Sequence, residues 1–254
     1  MVYSDYFSQS AELYCTYRPT YPTKLFDYLT SLCSKHSLAW DVATGNGQAA
    51  LPLADRFEKV IATDISVHQL EQALRHPRIT YCVSNASSGE LHLLDGTKYS
   101  IVDSSVDLIT VAQAYHWLEH GSFHKEAERV LAPGGIFAVW CYNLLQVSPQ
   151  IDLLTTEFYH KLEEYWPPQR RLLEREYADI PLPFEELPAP EFVMEASWDV
   201  EHFLGYIRTW SAVQCYIKKH GSDPVVTFKE QVETLWHGLQ PVRWTLKLRL
   251  SRKN

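Results

Sequence analysis

The chain has 254 residues and a formal net charge of −8, which argues against a nucleic acid as its main partner because phosphate backbones require a basic surface. With 46% hydrophobic residues it is long enough to bury one sizeable core, so we expect a single domain over 1–254. No apolar run approaches the roughly 18 residues that a membrane span needs, and nothing after Met1 resembles a signal peptide.

The five cysteines are widely spaced and include no C-x-x-C pair. An odd number in this pattern is typical of free thiols in a reducing compartment. We therefore expect a cytoplasmic protein that has neither a membrane nor a nucleic acid as its partner.

Short apolar runs alternate with amphipathic stretches between residues 38 and 142, which is typical of a parallel sheet with helical crossovers. The predicted strands are 38–43, 59–63, 79–83, 107–112 and 136–142. The predicted helices are 46–56, 66–75 and 122–131, the last with Ser122 as its N-cap. This order predicts an α/β fold with a doubly wound sheet.

The rhythm breaks after Val147, where an aromatic, charged and proline-containing stretch predicts an inserted helical cap. Further on, Asp223 and Pro224 predict the start of a helix over 224–237, which Gly238 ends. Apolar residues then alternate with polar ones up to Leu250, which is typical of a strand with one buried face. Together with 191–198, this strand completes a seven-stranded, mostly parallel sheet.

The most informative stretch runs from Leu38 to Gln48, where a predicted strand enters a glycine-bearing turn that opens a helix. Such a turn offers bare backbone N–H groups to a ligand. The next strand ends in Asp64, at the usual spacing for an acid that binds a ribose diol. The turn also fits the G-x-G-x-x-A dinucleotide fingerprint, which leaves an NAD- or FAD-dependent enzyme open. Because Asp41 would repel a pyrophosphate and attract an ammonium or sulfonium group, the sequence favours S-adenosylmethionine.

Five segments in this order resemble one known family: 17–22 (YRPTYP), 41–47 (DVATGNG), 62–64 (ATD), 106–117 (VDLITVAQAYHW) and 129–135 (RVLAPGG). The chain resembles the class I S-adenosylmethionine-dependent methyltransferases, in the type 11 small-molecule branch that includes trans-aconitate methyltransferase-like proteins and their plant relatives. The resemblance implies a Rossmann-like methyltransferase fold. Its expected parts are an amino-terminal helical lid (1–36), a cofactor-binding core (37–145), a helical cap (146–190 and 199–240) and final strands (191–198 and 241–250).

The resemblance also implies which residues bind the cofactor: Asp41, Ala43, Gly45, Asn46, Gly47, Asp64, Ile65, Asn85, Ala86 and Gln113. In this scheme the first turn and Gln113 contact the methionine part, Asp64 takes the ribose hydroxyls, and Asn85 borders the adenine. His116 and Trp117 point toward the transferred methyl group.

Two residues depart from the family's pattern. The family usually has glycine where this chain has Ala43, and an acidic residue where this chain has Ser87. If the first position needs a positive φ, alanine costs on the order of 1 kcal/mol, and even at negative φ its methyl group crowds the cofactor. This departure keeps open a noncatalytic cofactor-binding or scaffold protein on the same fold. The link over 89–99 is also longer than is usual in the family.

Methyl transfer from a sulfonium depends mainly on alignment and exclusion of water, and a carboxylate acceptor is already ionised near neutral pH. We therefore predict a small carboxylic acid as the acceptor, held by cationic or hydroxyl groups such as Tyr17, Arg18 and Arg208. For Arg18 the alternative is a salt bridge that ties the amino-terminal segment to the body, and for Arg208 a structural role is favoured over acceptor binding. His116 is a pocket wall or a general base for a phenol or thiol.

A zinc site is the alternative for the evenly spaced His116, His120 and His124, which one continuous helix would align. We expect Gly121 and Ser122 to interrupt such a helix and predict no metal. The large aromatic side chains are candidates for an acceptor pocket or for the core, and the core is the commoner place. They are Trp117, Trp166, Tyr177, Trp198 and Trp210.

Overall fold

The computed structural model of the protein describes residue 13, residues 16–86 and residues 90–254. These residues form two compact units. The larger contains Tyr21–Tyr142, Leu172–Phe192 and Leu246–Asn254, and the smaller contains Asn143–Arg171, Val193–Thr245 and the described residues up to Thr20. The predicted cap over 146–190 is thus divided between the two units after Arg171, and the predicted lid over 1–36 is divided after Thr20.

The larger unit is built on a sheet whose central strands are parallel. In chain order the strands are β1 (Leu38–Val42), β2 (Lys59–Asp64), β3 (Ile79–Ser84), β4 (Leu91–Leu93), β5 (Lys98–Tyr99), β6 (Val106–Ala112), β7 (Leu131–Tyr142), β8 (Glu185–Leu187), β9 (Phe192–Trp198) and β10 (Gln240–Arg252). They are ordered β5-β4-β3-β2-β1-β6-β7-β10-β8, and β9 pairs with β10. Because β3-β2-β1-β6-β7 is parallel throughout, the predicted doubly wound α/β fold is confirmed.

All seven predicted strands form, and the described residues add three short ones, β4, β5 and β8. Two of these lie within the link that the sequence marked as long. There β4 pairs antiparallel with β3 and with β5, and Gly96 turns the chain at φ +85°. The long link therefore extends the edge of the sheet.

Three of the four helices predicted with bounds are shorter than the sequence predicted, and the fourth forms over His120–Val130. The helices of the described residues are Thr23–Ser31, Ala50–Ala54, Val67–Glu71, His120–Val130, Pro149–Lys161, Arg170–Glu174, Val200–Arg208, Ser211–His220 and Val225–Glu233. The helix predicted over 46–56 begins at Ala50 because residues 45–49 are in turns, and that over 66–75 follows Ser66 as its N-cap but ends at Glu71. The helix predicted over 224–237 ends at Glu233. Within the described ranges, every helix falls short of the length and apolar character that crossing a lipid bilayer demands.

The prediction that Ser122 caps its helix is wrong. Glu119 is the N-cap, and its carboxylate accepts hydrogen bonds from the backbone N–H groups of Gly121 (3.1 Å) and Ser122 (2.8 Å). A carboxylate at this position also interacts favourably with the positive end of the helix dipole. The helix therefore runs through Gly121 and Ser122, which were expected to interrupt it.

Large aromatic side chains fill the core of each unit. In the larger unit Trp40 lies 6.0 Å from Phe123 between ring centroids, and its indole N–H donates to Thr63 Oγ1 over 3.0 Å. In the smaller unit Phe158 stacks on Phe228 at 4.3 Å. The predicted pocket candidates Trp198, Trp210 and Tyr177 are all buried, which favours their interpretation as packing residues.

Candidate active site

The predicted cofactor turn lies at the carboxyl end of β1, beside the carboxyl end of β6. These two strands are parallel neighbours, and the chain winds from β1 toward β2 on one side and from β6 toward β7 on the other. In open α/β sheets, ligands bind outside the carboxyl ends of the strands at such a switch point. The turn after β1 and the residues after β6 thus occupy the place where this fold class binds its ligand.

The turn depends on residues in the left-handed region. Ala43, Gly45 and Gly47 have φ of +53°, +57° and +87°. The N–H of Thr44 donates to the carbonyl of Thr63 over 2.9 Å, which ties the turn to β2. A Cβ built on Gly45 would meet only the end of the Gln69 side chain, at 3.8 Å, so this face of the turn has room for a ligand to approach the backbone.

Ala43 has a positive φ, the conformation in which an alanine is expected to be strained. At φ +53° an alanine is strained by about 1 kcal/mol, and we expect Ala43→Gly to raise the free energy of unfolding by about that amount. Ala39→Gly in the preceding strand β1 is the control, because Ala39 is buried outside the left-handed region and its replacement should destabilise by a similar amount. Urea denaturation compares the two variants, and a loss of stability in Ala43→Gly would contradict the assigned strain.

Asp41 lies beneath the turn and is completely buried. Its carboxylate accepts hydrogen bonds from the hydroxyls of Thr44 (2.5 Å) and Thr110 (2.7 Å). Burial raises the pKa of Asp41 to about 6, although both hydrogen bonds favour the ionised form. The site therefore has a carboxylate that is ionised at neutral pH and favourable to a cationic ligand group.

Asp64 joins the end of β2 to the turn. Its two carboxylate oxygens accept hydrogen bonds from the backbone N–H groups of Gly45 (2.8 Å) and Ser66 (2.9 Å). The side chain is half-buried, and its neighbour Ile65 is 37% exposed. An acceptor group at this strand end suits the hydroxyls of a ribose, as the sequence predicted.

The remaining cofactor candidates lie at the ends of β3 and β6. After β3, Asn85 is exposed and Ala86 is buried, and Ser87 lies outside the described residues. After β6, Gln113 has φ +55°, donates from Nε2 to the carbonyl of Tyr142 (2.9 Å) and accepts from its N–H (2.8 Å). Gln113 thus holds the ends of β6 and β7 together, and its contact with the cofactor stays a prediction.

His116 and Trp117 form a single 3-10 turn after β6, with ring centroids 4.6 Å apart. His116 is buried, and its Nδ1 lies 3.1 Å from the hydroxyl of Tyr177. From the sequence, Tyr177 was predicted only to line an acceptor pocket or to pack in the core. Nothing in the local pattern indicates this pair, because 61 positions separate its members.

Two more of the predicted acceptor residues, Tyr17 and Arg18, belong to the smaller unit. Arg18 donates from Nε to the hydroxyl of Thr209 (2.9 Å), and its guanidinium lies 5.0 Å from the ring centroid of Tyr206. Tyr17 lies so close to Gly205 that a Cβ there would be 2.4 Å from its ring. Both residues therefore pack along the Val200–Arg208 helix and the residue after it.

The histidines that were considered as zinc ligands contact other groups in the structure. His120 Nε2 lies 2.9 Å from the carbonyl oxygen of Tyr115, and His124 Nε2 lies 2.6 Å from its hydroxyl. The described part of the chain has no group of three or more His, Cys, Asp or Glu side chains that could hold a metal ion.

Comparison with known proteins assigns the family. The methyltransferase domain model matches residues 40–139. A protein of Dictyostelium discoideum named as a candidate methyltransferase is 32% identical over 233 residues, which are 90% of this chain and 85% of the relative. A methyltransferase of Aspergillus candidus is 33% identical over 145 residues, 54% of this chain and 44% of its own length.

A solved structure of a candidate type II methyltransferase from Anaeromyxobacter dehalogenans is 37% identical, with a TM-score of 0.81. It covers 92% of this chain and 97% of its own. These matches favour the methyl donor over the nicotinamide or flavin alternative, and a catalytic protein over a scaffold. The chain belongs to the class I S-adenosylmethionine-dependent methyltransferases.

Proposed function

We propose that the protein methylates a small carboxylic acid at a carboxylate oxygen. The observation that carries this proposal is the position of Arg18, whose guanidinium is oriented by Thr209 and the ring of Tyr206. Nη2 of the same guanidinium lies 3.5 Å from the carbonyl oxygen of Thr209, and the positive charge held there would attract a carboxylate. Tyr17, the adjacent residue, adds a hydroxyl that can donate to the same group.

The residues of the larger unit fit the cofactor. The open backbone at Gly45 and the charge of Asp41 would hold its methionine part, and Asp64 would accept hydrogen bonds from its ribose. When bound, S-adenosylmethionine supplies a sulfonium-bound methyl group that forms a bond with a carboxylate oxygen lone pair, while the electrons of the broken C–S bond stay on sulfur. Because no proton is released, the protein needs to align the acceptor and exclude water but needs no base.

The test combines binding and turnover. Calorimetry with S-adenosylhomocysteine measures cofactor binding, and methyl-labelled S-adenosylmethionine is then offered with a carboxylate panel of succinate, tricarballylate and benzoate. Methyl esters release labelled methanol in base, whereas ethers, amines and thioethers keep the label. Base-labile product supports the proposal, and failure to label any acid of the panel, or base-stable label alone, overturns it.

Arg18→Gln is expected to raise KM for the accepted acid of the panel about 10- to 100-fold, because it removes a charge-assisted contact worth about 1.5–3 kcal/mol. The affinity for S-adenosylhomocysteine should change by less than about twofold.

Arg208→Gln is the matched control for the same loss of charge in the same unit. The Arg208 guanidinium is half-buried and paired with Asp223, with Nε and Oδ2 2.8 Å apart. Its replacement should lower stability by about 1 kcal/mol or less and leave KM nearly unchanged. Equal KM effects in the two variants would contradict the assignment of Arg18.

We also propose that the protein acts in the cytoplasm. Four cysteines are described as free thiols: Cys33, Cys82, Cys141 and Cys215. Burial raises the pKa of Cys82 to about 11, so this thiol stays protonated and unreactive at neutral pH.

A further inference from the structure

Two tyrosine–histidine pairs lie after the carboxyl end of β6, within the larger unit. The hydroxyl of Tyr115 is 2.6 Å from Nε2 of His124, and the hydroxyl of Tyr177 is 3.1 Å from Nδ1 of His116. Both tyrosines and His116 are buried, and the two tyrosine rings meet edge to face at 5.5 Å. Only the second pair includes a residue predicted to face the transferred methyl group.

The backbone at Tyr177 is strained. Glu176 and Tyr177 are consecutive non-glycine residues in the left-handed region, with φ of +54° and +61°. Such residues cost about 1–2 kcal/mol each and persist only where the surrounding structure fixes them. The two residues end the Arg170–Glu174 helix, where the N–H of Tyr177 donates to the carbonyl of Leu172 over 2.9 Å. The same conformation places the Tyr177 ring against His116, with ring centroids 5.9 Å apart and planes 25° from parallel.

Arg249 of β10 also holds this turn. Its Nη1 donates to the carbonyl oxygens of Tyr177 and Ile180. Its remaining nitrogens bind the carboxylate of Glu186 in a fork, with distances of 2.8 and 2.9 Å. The strained conformation of Tyr177 is therefore held from the last strand of the sheet.

The chemistry of the pair sets the direction of its hydrogen bond. A phenol is a better proton donor than a neutral imidazole, and an imidazole nitrogen is a better acceptor than a phenol oxygen. We therefore expect the hydroxyl of Tyr177 to donate to Nδ1, which would leave the proton of His116 on Nε2. A bond in the opposite direction would leave Nε2 as a lone pair and make it a base.

We infer that Tyr177 is a positioning residue that fixes His116 in the Nε2–H tautomer, so that His116 donates a hydrogen bond to the acceptor and does not act as a base. This inference rests on the proposed function, because a carboxylate has no proton to lose but accepts a hydrogen bond, whereas a phenol or thiol would require a base. It thus argues against the role of general base that the sequence left open for His116.

The direct test is nitrogen-15 NMR of the histidine rings in the wild-type protein at pH 8, which needs neither ligand nor variant. We expect the His116 signals to show an unprotonated Nδ1 and a protonated Nε2. Tyr177→Phe should shift these signals toward a mixture of tautomers. A protonated Nδ1 in the wild-type protein would overturn the inference.

Tyr115→Phe is the matched control, since it removes the same hydroxyl from the other buried pair. For the accepted acid of the carboxylate panel, Tyr177→Phe should raise KM about tenfold or more with kcat nearly unchanged, whereas Tyr115→Phe should leave KM within about twofold. Equal KM changes would reduce Tyr177 to a packing residue. If no acid of the panel is methylated, the proposed function fails, and the tautomer measurement still decides whether Tyr177 positions His116.

Discussion

Gly47→Ala is expected to lower the free energy of unfolding by about 2–5 kcal/mol, the largest loss of any single methyl addition in the cofactor turn. A Cβ at this position would lie 2.5 Å from the hydroxyl oxygen of Tyr81, and φ is +87°. Left-handed strain contributes about 1–2 kcal/mol and overpacking about 1–3 kcal/mol. Tyr81 is buried, and its hydroxyl donates to the carbonyl of Leu74 over 2.9 Å, so the ring has little freedom to move away.

Two further variants separate these contributions. In the double variant Gly47→Ala/Tyr81→Phe the colliding oxygen is absent. Gly47→Ala should therefore cost less stability in a Tyr81→Phe protein than in the wild-type protein. Gly45→Ala has a similar φ of +57° but open space around its Cβ, so it should lose only the strain, about 1–2 kcal/mol.

The two glycine variants should also differ in ligand binding. A methyl group on Gly45 would occupy the open face of the turn, so we expect it to weaken S-adenosylhomocysteine binding more than it weakens folding. Urea denaturation and calorimetry measure the two effects, and equal stability losses in Gly45→Ala and Gly47→Ala would contradict the role of Tyr81.

Asp41→Asn is expected to separate stability from cofactor binding. The buried carboxyl has a pKa of about 6 in the folded protein, above its ordinary value of 3.8, so the folded state binds this proton more tightly than the unfolded chain does. The group therefore favours folding below pH 4, and this contribution is lost as the pH rises through 6. The shift corresponds to about 2–3 kcal/mol between pH 4 and pH 8.

An asparagine has no such titration. The difference in stability between wild type and Asp41→Asn should therefore change by about 2–3 kcal/mol over this range, with the variant relatively more stable at pH 8. At the same pH its affinity for S-adenosylhomocysteine should fall at least about tenfold, because the attraction for the ammonium group of the ligand is lost. In the wild-type protein this affinity should weaken below pH 6.

Asp107→Asn is the control for exchanging a buried carboxylate for an amide. Asp107 lies near the amino end of β6 and accepts hydrogen bonds from the backbone N–H groups of Ser37 (2.8 Å) and Leu38 (3.1 Å). Its replacement should destabilise the protein at pH 8 and leave ligand binding unchanged. A variant Asp41→Asn that binds the ligand like the wild type would remove Asp41 from the cofactor site.

Short-range sequence patterns were sufficient to predict where the glycine-bearing turn after β1 and the acid at the end of β2 lie in the fold. The apolar run before Asp41, the two glycines after it and the acid that ends β2 are local features, because strand and turn preferences involve residues a few positions apart. The helix ends were predicted less well. Glu119 replaces Ser122 as the cap, since both side chains can accept from backbone N–H groups two or three residues further on and local sequence does not choose between them.

Residue patterns alone were thus enough to predict the fold class and the cofactor, and to propose which strand ends bind it. The left-handed conformation of Ala43 and the long-range partners of the side chains are visible only in the folded chain. Arg18 meets Thr209 across 191 positions, and His116 meets Tyr177 across 61. Such contacts follow from how the elements pack, and no periodicity or motif records them, because each residue type is compatible with many partners until the fold brings one of them within bonding distance.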